Sequence, residues 1–201
     1  MPGRGAAAGP GGSAYGVGPG GREAGLVDEL RLRPVREKDL EYFATFAVER
    51  DEVGDNWQGF RDAQAPAKRF QEDGYLGEET SRLIVESGGE TAGFVSWFVG
   101  SFDNNKTRFW EIGIALRPQY RGRGIGWRAQ AMLTDYLFEH TPVQRIQAAT
   151  QPENIAEQKS LLKAGFQFEG VIRACEFRAG DYRDGYLYSR LRSDPSVPLD
   201  Q

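Results

Sequence analysis

Between residues 30 and 191 the apolar positions switch repeatedly between a period of two and one near 3.6, the repeats that distinguish strands from helices. The run from Leu30 to Val35 alternates as a half-buried first strand, and Pro34 near its end suggests a sheet edge. A helix is expected over 37–50, with Leu40, Phe43, Ala44 and Ala47 on one face. A second is expected over about 60–71, limited or kinked by Pro66. Strands at 82–86 and 91–100 flank Ser87, Gly88, Gly89 and Glu90, whose paired glycines suit a tight hairpin. A buried strand over 107–116 leads through a loop into a helix over 125–139, which carries Ile125, Ala129, Met132, Leu133, Tyr136 and Leu137 on one face. A strand at 144–150, a helix at 154–164 and closing strands at 166–178 and 183–191 complete the pattern. The order β-α-α-β-β-β-α-β-α-β-β predicts an α+β fold, a mixed sheet with helices packed on it.

Outside that region the pattern fails. The first 25 residues hold ten glycines and almost no large apolar side chains, so they cannot repay the entropy of folding. Residues 1–28 are therefore expected as a flexible tail, 29–192 as one domain and 193–201 as a C-terminal tail. Within 201 residues, 39% apolar and 12% aromatic content supports a core of ordinary size.

Charge and residue counts exclude several chemistries. A net charge of −4 argues against a nucleic-acid-binding surface. No run is apolar enough for a membrane span or a signal peptide, so a soluble cytoplasmic protein is expected. The single histidine, His140, rules out a histidine pair for zinc and suits a helix C-terminus better than catalysis. Cys175 is the single cysteine and reads as an ordinary strand residue; no metal site is expected.

Against the acidic background, Arg117, Arg121, Arg123 and Arg128 cluster around Gly122, Gly124 and Gly126, between a strand and a helix. Such a loop directs backbone N–H groups and the positive end of a helix dipole at one spot, which suits a small polyanion. Trp127 and Arg128 stand where a nucleotide-hydrolase loop needs Lys and Ser or Thr, and the R-G-x-G-x-G spacing is not the G-x-G-x-x-G of dinucleotide folds.

Arg121, Gly124 and Gly126 match the pattern R/Q-x-x-G-x-G/A after a strand containing Glu111 to Ile114. Asn154 opens a helix that leads to Lys163, Ala164, Gly165 and Phe166. Gly180 to Asp184, followed by Tyr188 and Ser189, forms a third match. Together these resemble the GNAT superfamily of N-acetyltransferases, nearest the branch that acetylates the N-termini of ribosomal proteins, over roughly residues 29–192. The resemblance implies a mostly antiparallel, splayed seven-stranded sheet with about four helices. It also implies acetyl-coenzyme A as donor and an amine acceptor, a peptide N-terminus or a small amine such as a polyamine or aminoglycoside, bound by a monomer or homodimer. A non-catalytic module that binds acyl-coenzyme A is the reading from a different class.

Carried over residue by residue, the resemblance implies cofactor contacts at Ile114, Ala115, Leu116, Arg121, Gly122, Arg123, Gly124, Ile125, Gly126, Trp127 and Asn154. The Ile114 or Ala115 amide would hold the acetyl carbonyl, and Asn154 would serve either as helix cap or as pantetheine ligand. Glu111 is the candidate general base, or else a sheet-end hydrogen-bonding group. The family's usual acid donors are absent: Leu161 stands where many members have tyrosine and Glu157 where others have serine. Glu157, Ser160 and Tyr182 are the candidate substitutes, with Tyr186 beside them. Asp51, Glu52 and Asp55 with Trp57 and Phe60 are the candidate acceptor-binding segment, a cationic-amine pocket or else a solvated acidic loop.

Overall fold

The computed structural model describes residues 29–53, 57, 59–103 and 106–199. The expected flexible tail at 1–28 and Asp55 lie outside the described residues, as does the side chain of Glu52.

Seven strands form one sheet: β1 Leu30–Arg33, β2 Thr80–Ser87, β3 Glu90–Phe102, β4 Thr107–Leu116, β5 Arg145–Thr150, β6 Gln167–Arg178 and β7 Asp181–Leu191. The spatial order is β1-β2-β3-β4-β5-β7-β6. Every neighbouring pair is antiparallel except β4 and β5, which are parallel because a helix crosses between them. That parallel pairing extends only over Trp110 with Ile146 and Glu111 with Gln147. Beyond it the two strands part, and the sheet is splayed as expected.

The helices are α1 Leu40–Val48, the single turn α2 Arg50–Val53, α3 Ala65–Asp73, α4 Ile125–His140 and α5 Ile155–Lys163. On one face of the sheet, Val85, Val95, Trp97 and Ile112 pack with Ala129, Leu133 and Leu137 of α4 and Leu161 of α5. On the other, Tyr42 and Phe43 of α1 pack with Tyr75, Ile84 and Phe94. The Phe43 and Tyr75 rings stack with centroids 4.9 Å apart. Alternation along β4 assigns Ile112 and Ile114 to the α4 face, and Glu111 and Ala115 to the α1 face.

Two helix expectations change. The segment 37–50 is broken: a 3-10 turn at Glu37–Asp39 precedes α1, and Glu49 is extended. Pro66 does not kink a helix but opens one, in the first turn of α3, where its missing N–H has no partner to lose. On α4, Ile125, Ala129, Leu133 and Leu137 are buried as expected, whereas Tyr136 is exposed. Gln130 and Thr134, polar residues not expected inside, are fully buried.

Three charged side chains, not expected inside, are buried together as one network. Arg33 donates to both oxygens of Asp39, at 2.7 and 2.9 Å, and to Glu86 at 2.5 Å. Thr91 and the Arg36 N–H complete the shell of Asp39, both at 2.8 Å. Burial raises the Asp39 carboxyl, but these hydrogen bonds outweigh it and hold the group below the usual carboxylate range. Hydrogen bonds from Arg33 lower Glu86 in the same way. The network ties β1 to β2 and to the start of α1, and so fixes the α1 face against the sheet.

Candidate functional site

The parting of β4 from β5 opens a cleft of about 230 Å³. One wall is the edge of β4 from Ile112 to Ile114, which has left its strand partner and keeps backbone groups free for a ligand. The other is Ala149 and Thr150 at the end of β5, with Gln151 and Asn154 beyond. Two carboxylates line this space: Glu157 from α5 and Glu176 from β6.

Glu157 is held from two sides. Its backbone N–H donates to the Asn154 side-chain oxygen at 3.1 Å, a helix cap that fixes the first turn of α5. Its carboxylate accepts from Gln130 Nε2 at 2.5 Å. Burial disfavours the charged form and pushes the carboxyl up to about 7, although the Gln130 hydrogen bond acts against that rise. A carboxyl group poised near neutrality beside a cleft is suited to donating a proton.

Glu176 lines the cleft just past an irregularity in β6. Ile172 pairs with Gly185, but Glu176 pairs with Arg183, so two extra residues are accommodated on β6 between them. Ala174 in this bulge has φ of 50°, and its N–H donates to Asp184 at 2.8 Å. Gln151 Nε2 donates to Glu176 at 3.1 Å, and Arg178 Nε lies 3.7 Å away. Sequence spacing missed this residue because its place at the cleft depends on a neighbour distant in the chain, Gln151 beyond the end of β5, which local periodicity does not report.

At the end of β4 the chain turns through a 3-10 segment, Pro118–Tyr120, into Arg121 to Gly124 and then α4. Gly122 and Gly124 have φ of 72° and 75°, the left-handed region that disfavours any side chain. A Cβ on Gly124 would meet Arg128 Nη1 at 2.7 Å. The four arginines divide their tasks. Arg117 lies over the Tyr42 ring at 4.3 Å, and Arg121 Nε donates to the Leu116 carbonyl at 2.9 Å. Arg128 Nε donates to the Leu199 carbonyl at 2.9 Å while its guanidinium packs over Trp127. Arg121 and Arg123 are exposed on the loop. Ile125 and Trp127 are buried, so the first turn of α4 presents backbone to a ligand at those positions.

The remaining expected residues fall elsewhere. Glu111, the candidate base, does not line the cleft; it lies on the α1 face, where Gln147 Nε2 donates to Oε2 at 2.9 Å. From Gln147 a chain of hydrogen bonds runs to Arg145 at 3.2 Å and on to Glu169, which Arg145 grips at 2.7 and 2.5 Å. That grip holds Glu169 down to about 2. Ser160 Oγ is buried between α5 and α4 without a hydrogen-bond partner among the described residues, 3.2 Å from where a Cβ on Gly126 would stand. Tyr182, 66% exposed, meets Phe177 edge to face near the β6–β7 turn, about 13 Å along β7 from Tyr186, which pairs with Thr150. It does not line the cleft. Asp51 is exposed on α2, and Trp57 meets Phe60 edge to face at 5.4 Å with Phe60 85% exposed.

Among the described residues no cluster of three His, Cys, Asp or Glu side chains could hold a metal ion, and no helix is long and apolar enough to cross a membrane.

The family model described as an acetyltransferase (GNAT) domain matches residues 29–167. The uncharacterized N-acetyltransferase YoaA of Bacillus subtilis is 30% identical over 181 residues, covering 83% of this chain and 95% of that protein. Over the shorter matches, the chain spans about half the length of the curated relatives it matches. Among solved structures, Vibrio cholerae spermidine N-acetyltransferase in complex with coenzyme A and spermine superposes with a TM-score of 0.71 at 20% identity, covering 83% of this chain and 97% of that one. RimL, a ribosomal L7/L12 alpha-N-protein acetyltransferase in complex with coenzyme A, gives 0.68 at 21% identity over 81% and 93%.

Proposed function

The chain belongs to the GNAT acetyltransferase family, and we propose that it transfers an acetyl group from acetyl-coenzyme A to a primary amine, the N-terminal amine of a protein or peptide. The observation that carries this reading is the cleft where β4 leaves β5, with Glu157 and Glu176 on its walls.

The residues present fit the donor. Gly122 and Gly124 keep side chains off the loop, and α4, sixteen residues long, opens directly behind it. Backbone amides from Arg121 to Gly126 would take the pyrophosphate, with Arg121 and Arg123 at the loop surface. The free edge of β4 would offer the Ile114 amide to the acetyl carbonyl, and Asn154 lines the cleft that the arm would enter. Acetyl-coenzyme A supplies the activated thioester. The chain then has to align the amine, stabilise the developing oxyanion and move two protons.

Glu157 donates a proton as the thiolate departs, because its carboxyl near 7 is protonated in a useful fraction at neutral pH. Glu176 receives the proton of the attacking amine. An N-terminal amine, with an ordinary pKa of about 7.7–8.0, needs little help to lose it, which suits a carboxylate as acceptor. RimL supports the protein N-terminus as acceptor class.

A polyamine is the second reading. It is favoured by the likeness to the spermidine acetyltransferase structure and by the exposure of Asp51 and of Phe60. Thiol release from acetyl-coenzyme A, measured with N-terminal peptides, spermidine and an aminoglycoside, separates the two. Turnover of peptides above polyamines is expected. Cofactor binding with no release for any amine would remove the enzymatic reading.

A further inference from the structure

Glu157 faces a partner whose own hydrogen bonding is unfinished. Gln130 is 1% exposed, its Nε2 donates to Glu157 at 2.5 Å, and its Oε1 is buried with no hydrogen-bond partner among the described residues. A buried carbonyl without a donor is unfavourable. An amide carries a donor and an acceptor on the same carbon, exchanged by a half-turn about its last torsion. A carboxylate needs the donor, and a carboxylic acid can use the acceptor.

We infer that Gln130 is a positioning residue that serves both protonation states of Glu157 by turning its amide. With Glu157 ionised, Nε2 donates to the carboxylate; with Glu157 protonated, Oε1 accepts from the acid O–H, and the orphaned carbonyl is satisfied. When the bond between sulfur and the acetyl carbon breaks, the acid O–H bond breaks with it. The proton goes to sulfur, its electron pair stays on Glu157, and the amide turns back to stabilise the new carboxylate. The inference rests on the proposed reading of Glu157 as proton donor, and adds the residue that keeps the donor satisfied before and after transfer.

The rest of the surroundings leaves this task to Gln130. β4 and β5 present Ile112, Ile114, Ala149 and Thr150 to the cleft, none of them charged. The other titratable group lining it is Glu176, engaged by Gln151 and Arg178. The first turn of α5 and the residues before it contribute the Asn154 cap and Gln151.

The test is a side-chain NMR titration of the ligand-free protein, read with steady-state pH profiles. The Gln130 amide resonances should titrate with the same midpoint as the Glu157 carboxyl, and should cease to do so in Glu157→Gln. Gln130→Met, which keeps the length and removes both polar groups, should raise the Glu157 midpoint by about one pH unit, a tenfold change in proton affinity. The fall in kcat at high pH should move upward with it, with KM for acetyl-coenzyme A unchanged. Gln130→Leu serves in the same role if the methionine variant folds poorly. Gln130 amide resonances that stay unchanged while Glu157 titrates overturn the inference. If instead the midpoint moves but Glu157→Gln retains full kcat, the proton-donor reading fails and the amide coupling stands.

Discussion

Gln147 Nε2 donates to Glu111 Oε2 at 2.9 Å from the last residue pair at which β4 and β5 remain in register. The bond crosses the point where the sheet begins to open, on the face away from α4. Glu111 is thereby committed to a strand-to-strand contact, while Glu176 stands on the cleft itself.

The two carboxylates should therefore respond differently to the same change. Glu176→Gln is expected to lower kcat/KM for the amine by about 100-fold and to flatten its pH dependence. Glu111→Gln keeps an oxygen for Gln147 and should cost less than about threefold on the same scale. Full pH profiles of both variants decide between them. The reverse ranking would transfer the base to Glu111.

Gly124→Glu introduces a side chain at φ of 75°, against Arg128, and sets a negative charge in the proposed cradle. Calorimetric affinity for coenzyme A should fall by at least about tenfold, the equivalent of roughly 1.4 kcal/mol. Far-UV circular dichroism should be retained. Unchanged affinity would remove this loop from pyrophosphate binding.

Asn154→Ala deletes the oxygen that accepts from the Glu157 N–H. Loss of such a cap costs about 1 kcal/mol, read as a lower urea midpoint, and Asn154→Asp should recover most of it. If Asn154 also holds the pantetheine arm, KM for acetyl-coenzyme A will rise in the aspartate variant although stability returns.

Breaking the buried network should be costly. Asp39→Ala leaves Arg33 buried without its bidentate partner, and a loss of about 3–5 kcal/mol in chemical denaturation is expected. Asp39 and Glu86 both lie below the ordinary carboxylate range in the fold. Their stabilisation is therefore complete above the unfolded values of about 3.9 and 4.3. It disappears as pH falls through the folded ones. Acid unfolding of the wild type should be steep below pH of about 4, and shallower in Asp39→Ala. Parallel acid titrations of the two proteins would expose a contrary result as equal slopes.

Much of this architecture is legible in the chain because it depends on spacing. The alternation around Ile112 and Ile114 and the helical repeat of Ile125, Ala129, Leu133 and Leu137 mark both sides of the loop. Gly122 and Gly124 mark the loop itself. What spacing cannot carry is a residue whose environment contradicts its type. Gln130 and Thr134 read as surface positions, yet both are buried, and Gln130 meets Glu157 of α5. Arg33, Asp39 and Glu86 read as solvated charges, yet they neutralise one another inside. Glu176 keeps the alternation of its strand, yet what makes it a cleft residue is Gln151, far away in sequence beyond the end of β5.

The short register between β4 and β5 has a mechanical consequence. Strands β1 to β4 form one leaf and β5 to β7 another, joined within the sheet by two residue pairs. On the α4 face the leaves are braced by α4 against α5, where Gly126 approaches Ser160 and Gln130 meets Glu157. The angle between the leaves, and with it the width available to a substrate, is therefore governed by the bulk of side chains along that brace. A methyl group at Gly126, 3.2 Å from Ser160 Oγ, would act as a shim at the hinge of the whole molecule.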